Sequence, residues 1–531
     1  MGKKDSKYKP LLFSTTTRNP ERLKYFLKVI EKYDGQLLDD NLAMNIMRDC
    51  IQEKVYYAQK VAREIEEYEK VYKSKDRISD ELIVDVFALF QEQCVDKKKP
   101  KERGFKVGGS SRFKTCFELA RKFGFVWFNE PEDEIQKIEL TNLGRELASN
   151  CKLTNIPKPW NYDYISEKEY SIFLHALAKY QSNNQLDRVL NEVNPLSLLF
   201  KTIKLLNEDQ EINSAGISKR ELAIFCYWKN NDSQELYEVI RKLRKDYGFK
   251  PSDETLLDIC DSLTGGARQD SRQDKSVLSE YPDDFMRKVI ITGLLSRRGG
   301  GRFIDINKKR EDLADYIIKK YSSNRKFKTE REYFDYISKE DNYLLTYETK
   351  DAETITSDEL LKWSEKFGWE TIKKELLNLK NKKTSKEEVL NEIISYIRLE
   401  WLISLAVKNR YPTINIKANM KTDDEGVPYH QAVGGLFDIE VETDDNYSFI
   451  EVTMITGANQ YPLEINKIPR KLEDFNFNNE SKGKKTYFIA PKIDRDAITG
   501  VGYLRTEKDI FVENYDIEQF IEKLETIGLT F

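Results

Sequence analysis

The chain has 531 residues, enough for roughly three or four domains, and its net charge is −4 although 34% of its residues are charged. It has no apolar run of about 18 residues and no apolar segment near its start, so we expect neither a membrane span nor a signal peptide. Six scattered cysteines without a CxxC pair and only two histidines exclude a disulfide scaffold, a histidine-rich zinc site and catalysis by paired histidines.

The first region, residues 1–160, is predicted to form a winged-helix-like DNA-recognition domain. Pro20 begins a helix over 21–32, and a long charged helix is expected over 40–72. A further helix follows Ser110, ends at Gly124 and precedes two short strands and a closing helix. Its apolar face has the i, i+3, i+4, i+7 spacing of Phe113, Cys116, Phe117 and Ala120, and its other face would offer donors to the major groove from Arg112, Lys114, Thr115, Arg121 and Lys122.

The second region, residues 161–325, is predicted to form a second winged-helix-like DNA-recognition domain. Pro195 begins a helix through Leu206, a capping box spans Ser218 to Glu221, and another helix covers 234–247. The composition of 264–275 predicts a mobile loop. A basic, glycine-rich turn over 296–302 is typical of a wing hairpin whose amides and arginines contact phosphates, although a flexible turn with incidental charge is the alternative.

Positive charge is concentrated in two segments. Residues 96–122 contain ten Lys or Arg against three Asp or Glu, and residues 286–310 contain eight against one, so each segment has a net charge of +7. Such focused charge favours double-stranded DNA as a partner over solvated lysine-rich surfaces, which are the alternative. The predicted DNA contacts are Arg18, Arg112, Lys114, Lys219, Arg220, Arg297, Arg298 and Arg302.

The last two regions are predicted to be a helical linker over 326–384 and an α/β domain over 385–531. The second contains a helix over 385–407, strands over 413–420, 436–443 and 447–454, a loop and helix over 457–481, and strands over 485–490 and 509–512. This order resembles the α-β-β-β-α-β core of the PD-(D/E)xK nucleases. The predicted fold class is therefore multidomain α+β, with helical and winged-helix DNA-recognition domains before a C-terminal nuclease core.

Two carboxylates stand inside apolar strands of this domain. Asp438 and Glu451 flank a turn at 444–446, so an antiparallel hairpin would place them side by side. Two desolvated carboxylates repel each other unless a proton or a cation lies between them. An oxygen-only pair suits Mg²⁺, the metal of phosphodiester cleavage. His430 precedes this hairpin and could lie near it, whereas His175 is expected in a helix or core.

Several segments resemble the AlwI-type family of type IIS restriction endonucleases, including its strand-nicking relatives. The likeness includes residues 14–20, 194–196, 218–226 and 292–306. It is strongest in the nuclease core, at Gly435-Leu436-Phe437-Asp438, Ile450-Glu451-Val452-Thr453, Thr456-Gly457-Ala458-Asn459-Gln460 and Leu463-Glu464.

The resemblance implies roles for the acidic residues. Asp438 and Glu451 would be metal ligands together with the carbonyl of Val452, and Glu400 and Glu464 match further acidic positions of the family site. Glu464 could instead be a surface carboxylate. Glu400 could instead act as a cap or pair with Arg398 or Lys408.

One position departs from the ExK pattern. Thr453 stands where the lysine is usual, which leaves the general base open. Glu464 could replace the lysine by holding a second metal or a water, and Lys467 is a weaker candidate.

The resemblance also implies a function and partners. The protein would bind a short asymmetric duplex sequence in a prokaryotic cytoplasm and cut at a fixed offset with Mg²⁺, leaving 5′-phosphate and 3′-hydroxyl ends. Cutting both strands needs a second catalytic domain, from another copy or from a partner subunit, and host protection needs a cognate DNA methyltransferase. The alternatives are a nicking endonuclease, the large subunit of a heterodimer, or a non-catalytic winged-helix regulator.

Overall fold

The chain forms two compact units. The computed structural model describes residues 8–13, 17, 19–74, 76–94, 101–102, 105–106, 109–129, 135–154, 156, 165–187, 189–212, 216–264, 274–298, 302–346, 355–391, 393–430, 435–479 and 481–531. The larger unit comprises Met1–Leu295, Ile304–Ile306 and Arg310–Glu348, and the smaller unit comprises Ser296–Phe303, Asn307–Lys309 and Thr349–Phe531. Among the described residues, no helix is long and apolar enough to span a membrane.

The larger unit is mainly helical. Its helices are α1 (Leu23–Ile30), α2 (Asp40–Gln52), α3 (Gln59–Ala62), α4 (Glu66–Lys73), α5 (Asp80–Gln93), α6 (Gly109–Lys122), α7 (Asn142–Ser149), α8 (Glu167–Lys179), α9 (Pro195–Glu208), α10 (Glu221–Cys226), α11 (Ser233–Tyr247), α12 (Asp253–Thr264), α13 (Tyr281–Ile290), α14 (Glu311–Tyr321), α15 (Glu330–Ser338) and α16 (Asn342–Leu345).

Short strands accompany these helices. They are β1 (Lys101–Glu102), β2 (Phe105–Lys106), β3 (Val126–Trp127), β4 (Glu139–Leu140), β5 (Ile217–Ser218), β6 (Leu295–Arg298) and β7 (Phe303–Ile306). β3 and β4 pair antiparallel between α6 and α7, which confirms the predicted sequence of helix, hairpin and helix. β6 and β7 border the basic turn and have residues in both units, and the predicted mobile loop falls largely outside the described residues.

The predicted long helix over 40–72 is wrong. α2 ends at Gln52, and the backbone of Lys54 turns with a φ of 60°. The ammonium of Lys54 then donates to the carbonyls of Val71 and Ser74, at 2.7 and 3.1 Å. These contacts fold the later helices back against the turn, so three helices replace one.

The predicted apolar face of α6 is confirmed, but part of its donor face is not. Phe113 and Phe117 are fully buried, and the side chain of Arg112 is exposed. Arg121, however, is fully buried and donates to the carbonyl of Phe128 at 3.0 Å. Lys122 is also buried and forms an ion pair with Asp187. Both cations are therefore internal and do not reach a DNA surface from this helix.

Local signals in the second region correctly predicted α9, α10 and α11 among its helices. The hydroxyl of Ser218 accepts from the amide of Glu221 at 3.2 Å, and the Glu221 carboxylate accepts from the Ser218 amide at 2.7 Å. This is the expected capping box. His175 is buried on α8, as expected. None of the six cysteines, all of them described, forms a disulfide, and Cys94 and Cys151 are only half-buried.

The smaller unit is built on one sheet. Its helices are α17 (Ser357–Lys380), α18 (Glu388–Asn391), α19 (Ser395–Arg410), α20 (Gln460–Leu463), α21 (Ile468–Asp474), α22 (Arg495–Glu507) and α23 (Ile517–Glu525). Its strands are β8 (Ile416–Ala418), β9 (Lys421–Thr422), β10 (Pro428–His430), β11 (Ile439–Glu442), β12 (Asn446–Val452), β13 (Gly483–Ala490) and β14 (Val512–Asp516).

The described strands of the main sheet have the order β14-β13-β12-β11-β8. β11 is antiparallel to β8 and β12, whereas β12, β13 and β14 are parallel. Alternation along β12 places Ile450 and Val452 in the core with α17, α19 and α23, and Phe449 in the aromatic core of the opposite face. The predicted elements occur in the predicted order, but the β9–β10 hairpin and the helices α22 and α23 were not predicted.

Several boundaries in this unit differ from the prediction. The helix expected from 385 is interrupted, and α19 begins only at Ser395, because the hydroxyl of Ser385 caps a local turn at the amide of Glu387. β11 begins one residue after Asp438. The last strand starts at Val512 rather than ending there, since Asp509 has a φ of 54°.

Candidate active site

Asp438, one residue before β11, lies opposite Glu451 on β12. Ile439 pairs with Ile450 in the antiparallel register, so the next pair along is Asp438 with Glu451. Directly opposite residues project from the same face of a sheet, so the two buried carboxyl groups lie next to each other. The amide of Val452 donates a further hydrogen bond of 2.7 Å to Oδ2 of Asp438. The structure thus brings together the pair that the sequence pointed to.

Burial dominates the electrostatics of this pair. Desolvation raises the pKa of the Asp438 carboxyl, and the negative charge of Glu464 raises it further. Desolvation, followed by the charge of Asp438, raises the pKa of the Glu451 carboxyl well above its usual range. The positive charge of Lys471 opposes both shifts. The site therefore favours a shared proton or a cation between the two carboxylates.

Glu464 lies between α20 and a short 3-10 turn over Ile465–Lys467. Its charge acts on both carboxylates of the pair. Lys467, the weaker candidate for the missing lysine, is half-exposed and lies 3.5 Å from the Glu464 carboxylate. Glu464 therefore interacts electrostatically with the pair, and Lys467 lies beside Glu464.

A buried glutamine anchors the segment that carries Glu464. The amide nitrogen of the Gln460 side chain donates to the carbonyls of Ile455 and Lys492, each at 2.7 Å. Its side-chain oxygen accepts from the amide of Asp494 at 2.8 Å. Gln460 ends the family-like block at 456–460, but its sequence context alone did not indicate this bridging role.

Thr453 cannot take the place of the usual lysine. Its hydroxyl accepts a hydrogen bond of 3.1 Å from the amide of Ile455, and its own amide donates to the carbonyl of Ile489 at 3.0 Å. The side chain is also buried. It therefore closes a turn after β12 and offers no cation.

Sequence reasoning assigned no role to Lys471. This residue lies on α21, and its ammonium forms an ion pair with Oε1 of Glu451. The ammonium also lies 5.5 Å from the centre of the Phe437 ring. The only available signal was the position of a lysine within the helix that follows the catalytic strands.

Glu400 and His430 remain predictions. Glu400 is buried on α19, which packs on the face of Ile450 and Val452, opposite to that of Glu451. Of the two cations proposed as its partners, Arg398 donates to the carbonyl of Ile393 and Lys408 to the carbonyl of Ile414, at 2.9 and 2.8 Å. For His430, the structure describes only the backbone, in β10.

The donor set fits an oxygen-seeking cation with few protein ligands. No group of three or more His, Cys, Asp or Glu is arranged to hold a metal within the described part of the chain. Asp438 and Glu451 nevertheless form a buried carboxylate pair whose charge calls for compensation. Mg²⁺ commonly keeps several waters and takes only one or two carboxylates, so the pair suits it.

The side chains predicted to contact DNA differ in their exposure and in their partners within the protein. Arg297 and Arg302 are exposed beside the basic turn, and Lys114 is half-buried on α6. Arg220 forms an ion pair of 2.6 Å with Asp253. The ammonium of Lys219 lies 3.9 Å from a carboxylate oxygen of Asp283. Arg18 lies outside the described residues.

Arg298 is engaged differently from Arg297. Its side chain is only 10% exposed and lies 2.8 Å from an oxygen of Asp424 and 3.3 Å from one of Asp423. Burial raises the pKa of Asp423 to about 6. The Arg298 charge is thus largely compensated within the smaller unit.

Comparisons with known proteins place this chain among nucleases. A family model described as AlwI restriction endonuclease matches residues 121–368 and 337–522, which together exceed half of the chain. No curated protein matches it.

Several solved structures are similar to it. The small subunit (R.BspD6I2) of the heterodimeric restriction endonuclease R.BspD6I shares 24% sequence identity over 30% of this chain and 81% of that chain, with a TM-score of 0.25. Restriction endonuclease FokI bound to DNA shares 11% identity over 99% of this chain and 97% of that one, with a TM-score of 0.19. Another FokI structure shares 12% identity over 97% of each chain, with a TM-score of 0.23.

Proposed function

This chain belongs to the AlwI restriction endonuclease family, and we propose that it is a type IIS enzyme that binds a short asymmetric DNA sequence and cuts at a fixed distance outside it. The buried pair of Asp438 and Glu451, side by side in the β11–β12 hairpin, carries this proposal. Outside a reaction centre, such a pair only reduces stability, since each desolvated carboxylate disfavours the charge of the other.

Asp438, Glu451 and the carbonyl of Val452 would hold Mg²⁺. When bound there, Mg²⁺ lowers the pKa of a coordinated water and neutralises charge on the scissile phosphate. The Val452 amide fixes the orientation of Asp438 through its 2.7 Å hydrogen bond. Glu464, whose charge reaches both carboxylates, holds the attacking water. In-line attack at phosphorus then leaves a 5′-phosphate and a 3′-hydroxyl.

Substrate binding would rely on the basic residues that stay exposed. Arg112 on α6 and Arg297 and Arg302 at the β6–β7 turn are exposed and suited to phosphate contacts. Host protection would fall to a cognate DNA methyltransferase.

One carboxylate pair cuts one strand. We therefore propose that a double-strand cut requires a second catalytic domain, from another copy of this chain or from a partner subunit. A chain that acts without such a partner would nick DNA on one strand.

Incubation with supercoiled plasmid tests the proposal. We expect Mg²⁺-dependent cleavage by the natural protein, and none in EDTA or with Asp438→Asn. Asparagine keeps an oxygen for the Val452 amide, so this variant removes charge while it preserves the hydrogen bond. Asp444→Asn is the matched control, because Asp444 is exposed in the turn of the same hairpin.

The form of the plasmid products distinguishes double-strand cutting from nicking. Discrete linear fragments, sequenced at their ends, would give the recognition site and the offset. Open circles alone would identify a nicking enzyme or a missing partner. Undiminished cleavage by Asp438→Asn would refute the assignment of the site.

A further inference from the structure

Lys471 is the cation nearest the carboxylate pair in the described ion pairs, and it comes from an unexpected element. Its ammonium lies on Oε1 of Glu451, which precedes it by 20 residues in the chain. The side chain is only 12% exposed. A lysine that is both buried and bound at a reaction centre is placed by the fold and not by chance contact at a surface.

Two contacts hold Lys471 in place. Besides the carboxylate, its ammonium lies 5.5 Å from the centre of the Phe437 ring. Phe437 is itself buried and stacks on Phe449, with ring centroids 4.3 Å apart. Phe437 immediately precedes Asp438, so the segment that positions the carboxylate also positions the lysine.

Two neighbouring cationic side chains on the same segment pair with other carboxylates. Lys467 is half-exposed and lies 3.5 Å from Glu464, and Arg470 is 73% exposed and lies 3.7 Å from Asp474. Thr453, in the position of the usual lysine, is a buried turn residue. Of these three cations, Lys471 is the one that forms an ion pair with Glu451.

We propose that Lys471 is a catalytic residue that reaches the scissile phosphate from α21 and supplies the positive charge that Thr453 cannot. This inference rests on the proposed function, because it requires Asp438 and Glu451 to be the reaction centre. Before substrate binds, the ammonium compensates Glu451. When a divalent cation neutralises the pair, the attraction that holds the ammonium on Glu451 weakens. Lysine is a compact charge on a flexible stem, so it can then turn to a non-bridging phosphate oxygen.

Single-turnover cleavage of a bound duplex tests this role. We expect Lys471→Met to slow the cleavage step by about 100-fold or more, as for other groups that stabilise developing charge. DNA affinity, measured with Ca²⁺ in place of Mg²⁺, should change by less than about threefold, a small difference on the scale of binding free energies. Lys471→Arg keeps the charge and should restore part of the rate.

The matched control is Arg470→Met. This variant also removes one positive charge from α21, but from an exposed side chain. It should cleave at nearly the natural rate. Lys467→Met tests the competing assignment, and a larger rate loss there than in Lys471→Met would overturn the proposal.

A measurement without turnover separates an electrostatic role from a structural one. In EDTA, Lys471→Met should lower the melting temperature, because Glu451 loses its counter-charge. Added Ca²⁺ should then raise the melting temperature more in Lys471→Met than in the natural protein, since the cation takes over the compensation that the ammonium gave. An equal rise in both would contradict the exchange of charge that the proposal requires.

Failure of this inference and failure of the proposed function can be distinguished. If Asp438→Asn is inactive while Lys471→Met cleaves normally, the reaction centre stands and Lys471 is not part of it. If Asp438→Asn cleaves normally, the proposed function itself fails.

Discussion

The backbone amide of Val452 donates a 2.7 Å hydrogen bond to Oδ2 of Asp438, across the two central strands of the smaller unit. This bond ties the carboxylate to the strand that carries Glu451. It keeps the two carboxylates together although their charges repel. The predictions for the site follow from this electrostatic repulsion.

Asp438→Asn should stabilise the metal-free protein. Burial raises the pKa of both carboxyls, so the folded state binds more protons than the unfolded state between the unfolded and folded pKa values. The natural protein therefore loses stability as the pH rises through that window. We expect a gain of about 1–2 kcal/mol for the variant at pH 8, roughly one pKa unit of relief, that shrinks below about pH 4. Urea unfolding in EDTA at several pH values measures this, and parallel pH profiles of the two proteins would contradict it.

Gln460→Ala should reduce both stability and cleavage. The side chain makes three hydrogen bonds of 2.7 to 2.8 Å that join 455–460 to the segment after β13. Its loss leaves buried backbone groups unsatisfied, at a cost of about 2–4 kcal/mol, and loosens the segment of Glu464. Single-turnover rates should fall while DNA affinity stays constant. Asn459→Ala, at the exposed neighbour, is the control that should behave like the natural protein.

Arg297→Ala and Arg298→Ala should differ in their effects on DNA binding. Arg297 is exposed, whereas Arg298 is compensated by Asp423 and Asp424. Each phosphate contact adds about 0.9 to the slope of log affinity against log salt. We expect Arg297→Ala to reduce the magnitude of this slope by about 0.9, the contribution of one phosphate contact, and Arg298→Ala to leave the slope unchanged. Equal slopes for the two variants would contradict the distinction between an exposed Arg297 and a compensated Arg298.

Breaking the ion pair of Glu221 and Arg244 should strongly destabilise the larger unit. Both side chains are about 2% exposed, and the guanidinium donates two bonds to the carboxylate, at 2.7 and 2.9 Å. Arg244→Met leaves a buried carboxylate without a counter-charge, at a cost of about 3–5 kcal/mol. Adding Glu221→Gln should recover part of this loss. A double-mutant cycle by urea unfolding measures the coupling, and strictly additive effects would rule it out.

His175 should stay neutral in the folded protein at pH 5. Burial, with a further contribution from the charge of Lys179, lowers the pKa of its imidazole to about 3. The unfolded histidine titrates near pH 6.5, so its contribution to stability is present above that pH and is lost as the pH falls towards 3. With only two histidines in the chain, imidazole NMR signals are easily assigned. A His175 signal that titrates above pH 5 would show that the site is open to water.

Sequence reasoning succeeded where the deciding contacts are local. Asp438 and Glu451 are separated by one hairpin, and the alternation of a strand determines which side chains share a face. The capping box at Ser218 and Glu221 spans three residues and was predicted correctly for the same reason. The family membership was likewise indicated by short motifs.

Contacts between distant segments decided the rest. The periodic pattern of α6 could not show that Arg121 meets Glu330, 209 residues away, or that Lys122 meets Asp187. Periodicity distinguishes an apolar face from a polar one, but a buried cation with a distant partner has the same pattern as an exposed one.

The sequence by itself therefore determined the carboxylate pair, since strand register places two acids in the same hairpin side by side. Only the tertiary structure decided which cation joins them. Lys471 reaches Glu451 because α21 packs over the aromatic face of Phe437 and Phe449, and no local pattern records how a helix docks on a sheet. The free energy of that docking comes from apolar surface buried between segments that are distant in the sequence. Local sequence patterns carry no information about which distant segments bury that surface.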